Sequence, residues 1–201
     1  MMRRRIPSTR AGATGATCVA LTVLALVLGG CGSKGAPSAT TRYGPSWGTF
    51  SAAFPSTATP ATSAQMREIG GQFPHVTSAE AFYVSPSSED IFAAGSAVPA
   101  PPTDAVLVMR FSSVSDVNTN MSQLRSHLPG VTQVTVNGNA GLRILGPAAT
   151  SPLAEGAKVT DKSSYLGVLL LQHGDVLYEA EAITATSAEA SSFLASVKPL
   201  T

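Results

Sequence analysis

Charged side chains are scarce in this chain: Asp, Glu, Lys and Arg make up 12% of its 201 residues, about half the share of an ordinary soluble domain. The formal net charge of +1 conceals an asymmetry, because Arg3, Arg4, Arg5 and Arg10 all lie at the N-terminus. After Arg10 nine basic and twelve acidic residues remain, with no Lys/Arg cluster among them. That excludes the electrostatic footprint of a nucleic-acid binder, and no nucleic-acid partner is expected. A mildly acidic domain also has no affinity of its own for an anionic bilayer.

Cysteine is nearly absent too, with Cys18 and Cys31 only. Cys18 sits inside an uncharged N-terminal run, and removal of that run would leave Cys31 alone. A lone cysteine forms no internal disulfide, so Cys31 needs another explanation.

The signatures of chemistry are missing as well. His75, His127 and His173 fall in three different predicted elements, without the close spacing of a metal site. Neither a Gly-x-Ser-x-Gly elbow nor a Ser-x-x-Lys nucleophile motif occurs. Gly138, Gly141 and Gly146 accompany a predicted hairpin and do not precede a helix, so they form no phosphate cradle. A Ser/His/carboxylate triad assembled from distant residues is left unconstrained by sequence. Glu179 and Glu181 share one face of a predicted strand, opposite Tyr178, Ala180 and Ala182. Alternation predicts that they face solvent, since an acid/base pair would need a partner to separate their pKa values. No catalytic residue, metal site or cofactor is therefore expected.

What is present begins at the N-terminus. Met1-Met2-Arg3-Arg4-Arg5 is basic, and no charge occurs from Ala11 to Gly30. The most apolar part, Val19 to Leu28, is a short core of the kind found in export signals. It closes on Leu28-Gly29-Gly30-Cys31, which resembles the lipobox of bacterial lipoproteins. The resemblance implies cleavage between Gly30 and Cys31 and a diacylglyceryl group on the Cys31 sulfur. Acyl chains there would give stable anchoring on the extracytoplasmic face of a membrane. The alternative, an uncleaved anchor of twenty uncharged residues, is weakened by Gly12, Gly15, Gly29 and Gly30.

The organisation that follows is a signal peptide over 1–30, a flexible Gly/Ser/Pro/Thr/Ala-rich tether over 31–45 and one domain over 46–201. A short β run, Trp47 to Phe54, ends at Pro55. Alternation places Phe50 and Phe54 in the core, with Trp47 at its rim. Residues 62–69 read as strand or helix, with strand favoured by the Gly70-Gly71 pair; 73–76, 81–84 and 91–98 read as extended. The apolar run 105–111 is best read as a buried strand, although periodicity alone leaves a helix open. Val117, Met121, Leu124 and Leu128 line one face of a helix stopped by Pro129-Gly130. Asn120-Met121-Ser122 matches a glycosylation triplet but falls within that helix, a chance match.

Asn137-Gly138 predicts a tight turn between two short strands. Tyr165 to Gln172 and Val176 to Ala185 form the strongest hairpin, and Thr186-Ser187-Ala188-Glu189 opens a last helix with capping-box spacing. The fold class is α+β: a mostly antiparallel sheet with a central and a C-terminal helix. The order of the Phe54-Pro55 run, the Val136-Asn137-Gly138 turn and a hairpin feeding a helix with Phe193-Leu194 resembles LpqN-type lipoproteins of actinobacteria. It also resembles the PsbP-like group of folds. That resemblance implies a binding or assembly domain of the cell envelope and carries over no catalytic residue; the very apolar 105–111 segment departs from it. The expectation is a membrane-anchored, non-catalytic domain that binds an envelope protein or lipid. The alternative is a carrier of a small apolar ligand. A filled core with an exposed apolar patch favours the first, and a cavity between sheet and helices favours the second.

Overall fold

The computed structural model describes residues 40–63, 66, 73–84, 103–151 and 163–200. The signal peptide, the lipobox, Ile91–Val98 and most of the polar stretch after Ala148 lie outside the described residues. Among the described residues ten strands form two sheets. The small sheet joins β1 (Thr41–Tyr43), β2 (Phe50–Ala52) and β10 (Lys198–Pro199) in the order β1-β2-β10. The large one contains β3 (Thr59–Pro60), β4 (Val76–Val84), β5 (Thr103–Phe111), β6 (Thr132–Val136), β7 (Asn139–Pro147), β8 (Tyr165–His173) and β9 (Val176–Thr184). Its order is β3-β4-β5-β9-β8-β7-β6, antiparallel throughout.

Two helices cover opposite faces of this sheet. Helix α1 (Val114–His127) starts at Ser113, whose Oγ accepts from the Asp116 N–H at 3.2 Å. It lays Val117 and Leu124 against Leu107, Met109, Leu170 and Leu177 in one core layer. Helix α2 (Ser187–Ser196) opens with the full capping box: Thr186 Oγ1 accepts from the Glu189 N–H, and Glu189 Oε2 accepts from the Thr186 N–H. It places Ala190, Phe193 and Leu194 in the other layer, with Val106, Val108, Leu169 and Tyr178. Gly167 lets α2 approach closely, since a Cβ there would stand 2.8 Å from Leu194 Cδ1.

The small sheet closes the α2 side. Phe50 and Phe54 are fully buried, and Tyr43 stacks on Phe50 at 5.7 Å and meets Phe54 edge-on at 5.1 Å. Phe54 in turn lies 5.1 Å from Phe193 of α2. Trp47 is half-buried against this cluster, at the rim as its position in the run indicates. The turn between β6 and β7 has positive φ at Asn137 (50°) and Gly138 (80°), the backbone that Asn-Gly accommodates.

Three local expectations are corrected. Thr41–Tyr43, counted above with the tether, is a strand, because Tyr43 supplies an aromatic side chain that β2 can bury. Ser63 and Met66 are helical: the Met66 N–H donates to the Thr62 carbonyl at 3.0 Å, and Met66 packs on the α1-side core. The favoured strand at 62–69 gives way there to a turn of helix. Phe73 to Val76 is not a separate strand, since Phe73–His75 form a bend and turn into the continuous β4.

Candidate functional site

Strand β9 is flanked by β5 and β8, so its residues are covered on both edges and, through the two helices, on both faces. Its even residues, Tyr178, Ala180 and Ala182, join the aromatic α2 side. Its odd residues turn to the α1 side, where Leu177 and Ile183 are core. Between them on that same face stand Glu179 and Glu181, at 3% and 5% exposure. The solvated carboxylate face expected from alternation is therefore a buried one.

The register defines the surroundings of the two carboxylates. Glu179 lies in the cross-strand row Ala81, Leu107, Glu179, Leu170, Leu142. Glu181 lies in the next row, Tyr83, Ala105, Glu181, Val168, Ile144. Each carboxylate thus has apolar residues on both neighbouring strands, and the two Cα atoms are about 7 Å apart along the strand. Burial pushes the Glu179 carboxyl up to about 7, because a desolvated carboxylate disfavours its charged form. Its Oε1 has no hydrogen-bond donor.

Helix α1 packs on β5 and β9 and adds a third polar group to this layer. Asn120 sits on the sheet-facing side with Val117 and Leu124, is only 6% exposed, and its Oδ1 has no donor either. Its burial also removes the glycosylation triplet as an acceptor site. A buried polar atom without a partner costs about 1–3 kcal/mol, so these oxygens are candidates for contact with a water or a ligand.

Next to these rows the sheet surface drops. Ala79 and Ala81 on β4 form the floor of a cleft of about 440 Å³, walled by Pro60, Ala61, Ser63, Met66 and Glu80. Ala105 continues the run of small side chains toward Glu181. A second cleft of about 460 Å³ opens at the far end of α1, between Pro129-Gly130 and Ile144 to Pro147. Among the described residues, Val114 is the one exposed large hydrophobic side chain, so they carry no exposed apolar patch.

A further buried acid lies on the opposite face. Asp104 Oδ1 has no donor, and burial, then the nearby Glu189 carboxylate, push its pKa to about 7. It stands at the end of β5, beside the capped start of α2.

The three histidines are held separately, as their positions in sequence imply. His75 occupies a turn with φ of 68°, and its carbonyl accepts from Ser112. His127 Nδ1 contacts the Gln123 carbonyl at 2.8 Å and Ser126 Oγ at 3.0 Å, within its own helix turn. His173 Nδ1 contacts Asn139 Oδ1 at 2.8 Å beside the β8–β9 turn. Among the described residues no group of three or more His, Cys, Asp and Glu stands close enough to hold a metal ion. No described helix is long and apolar enough to cross a membrane.

No family model and no curated protein matches the chain. Among solved structures it is similar to the solution structure of cyanobacterial PsbP (CyanoP) from Synechocystis sp. PCC 6803. The identity is 13%, the match covers 86% of this chain and 99% of that one, and the TM-score is 0.43. It is also similar to a crystal structure from Bacteroides thetaiotaomicron, at 10% identity, 76% coverage of this chain and a TM-score of 0.41. There the chain spans 45% of the other protein's length. These are likenesses of outline alone.

Proposed function

We propose that this protein is an extracytoplasmic lipoprotein, anchored to the cell membrane through an acylated Cys31, whose domain binds a small apolar ligand or lipid without catalysing its conversion. The observation that carries the binding reading is the cleft over Ala79 and Ala81, on the sheet face that also buries Glu179 and Asn120. A concave site that combines Pro60, Ala61, Met66, Ala79 and Ala81 with the polar Ser63 and Glu80 has the mixed lining that can hold and orient a small ligand. The Leu28-Gly29-Gly30-Cys31 sequence supports the anchor.

Assembly with an envelope protein is the second reading, and β6 favours it. This strand, Thr132–Val136, carries neither charge nor proline, and among the described residues no further strand pairs with its outer side. Such an edge can accept a strand from a partner. The opposite edge, β3, is two residues long and contains Pro60, which blunts it.

Native mass spectrometry of the protein gently extracted from its own membranes tests both readings. The carrier reading expects a mature mass beginning at acylated Cys31 with a reproducible small-molecule adduct. A lipidated but bare domain contradicts it and directs the search to a protein partner. Cys31→Ala should abolish lipid labelling; a variant that still fractionates as a mature membrane protein refutes the anchor.

A further inference from the structure

The small sheet has an inner and an outer face. Tyr43, Phe50 and Ala52 turn to the aromatic core, so alternation turns Arg42, Ser51 and Lys198 outward. The register puts these three in one cross-strand row, with Arg42 and Lys198 on either side of Ser51. Two strand spacings separate the two cations, or about 10 Å between their Cα atoms. Both are exposed, and neither pairs with an acidic side chain among the described residues. They come from opposite ends of the domain, so no basic run in the sequence announces them.

The acidic residues are placed elsewhere. All twelve fall between Glu68 and Glu189, outside the three strands of the small sheet. The small sheet is also the part of the fold that stands next to the anchor in sequence. Ten residues lead from Cys31 to Thr41, a link that reaches at most about 35 Å.

We infer that the outer face of the small sheet, through Arg42 and Lys198, docks on anionic phospholipid headgroups and orients the domain on its own membrane; the inference rests on the Cys31 anchor proposed above. The anchor supplies proximity, so this face needs no independent affinity for a bilayer. Each cation then favours the docked state by about fivefold at an anionic surface. The net acidic remainder of the domain is repelled by the same surface, which selects this one orientation. The Arg42 guanidinium can also meet a lipid phosphate with two parallel N–H donors. An acidic protein would suit the same two charges, but the short link holds the bilayer beside them.

Trp47, the single tryptophan of the chain, lies between β1 and β2 and reports the position of the small sheet. Energy transfer from Trp47 to dansyl-labelled headgroups is measured for the full lipidated chain in phosphatidylcholine vesicles, with and without phosphatidylglycerol. The docked-to-free ratio is expected to be roughly 25-fold higher in the anionic vesicles. It should fall about fivefold in Arg42→Gln and in Lys198→Gln. The double variant should match the phosphatidylcholine level, as should the wild type in 1 M salt, where the Debye length is about 3 Å. Arg125→Gln, at an exposed site on α1, should change nothing. Far-UV circular dichroism confirms the fold of each variant. Equal transfer in the two kinds of vesicle overturns the docking face and turns the search to an acidic protein. Transfer in anionic vesicles that survives the double variant overturns it as well, and both results leave the anchor standing. A wild-type chain that fails to float with either kind of vesicle overturns the anchor itself.

Discussion

The two faces of the large sheet are built from the same strands, residue by alternate residue, yet they differ in how completely they are satisfied. On the α2 face, Phe50, Phe54 and Phe193 interlock with Tyr43 and Tyr178, and the chain closes over them with the small sheet. Polar groups there find partners, as when the Ala53 N–H donates to Ser196 Oγ at 2.9 Å. Its one buried acid with an orphaned oxygen, Asp104, lies at a strand end beside α2. On the α1 face, Glu179 stands at mid-strand among Leu107, Leu170 and Leu177, and clefts open farther out, over Ala79 and Ala81 and between Pro129-Gly130 and Ile144 to Pro147. One face is optimised for packing. The other buries carboxylate and amide oxygens among apolar side chains, at a cost in stability.

Breaking the packed face should have the largest effect. Phe50→Ala empties a fully buried site at the junction of the two sheets, and a loss of about 3–5 kcal/mol is expected in urea unfolding. A loss below about 1 kcal/mol would mean that the small sheet is peripheral to the fold.

Next in size is the pH dependence. Burial holds the Glu179 carboxyl at about 7 in the folded state, against 4.5 for an ordinary glutamate. The folded state therefore binds more protons than the unfolded one between these values, and stability falls as pH rises through that window. The contribution is on the order of 3 kcal/mol between pH 5 and 8. Asp104, also near 7, adds a loss of the same sign. Glu179→Gln should flatten the α1-face share and Asp104→Asn the α2-face share, so unfolding at the two pH values assigns the loss to each face. Glu179→Gln is also expected to be neutral or more stable than the wild type at pH 8.

The smallest effect concerns the capped start of α2. Thr186→Ala removes the side-chain acceptor of the Glu189 N–H and should cost about 1 kcal/mol by the same measurement. An unchanged midpoint would show that α2 is held by Phe193 and Leu194 alone.

Much of this architecture is legible in the residues themselves. The Asn137-Gly138 turn, the helix face of Val117 and Leu124, the Thr186–Glu189 cap and the alternation of Phe50 and Phe54 are local signals, and local structure follows them. The acidic layer is not legible in this way. Within the β8–β9 hairpin, Glu179 and Glu181 alternate with Tyr178 and Ala180 like any half-exposed strand. What buries them is the pairing of β9 with β5, about 70 residues earlier, and the passage of α1 across that face. A signal existed: Leu177 and Ile183 share the carboxylates' parity, an apolar bracket that a solvated face would lack. The short β1 and β10 strands were equally hidden, because each exists only by pairing with β2.

The most direct test is a ¹³C NMR titration of the Glu179 side-chain carboxyl in the ligand-free protein, assigned by its loss in Glu179→Gln. A midpoint near 7 would establish a desolvated carboxyl held in the α1 layer. A midpoint near 4.5 would place Glu179 in contact with water or a cation, and the contrast between the two faces would fail.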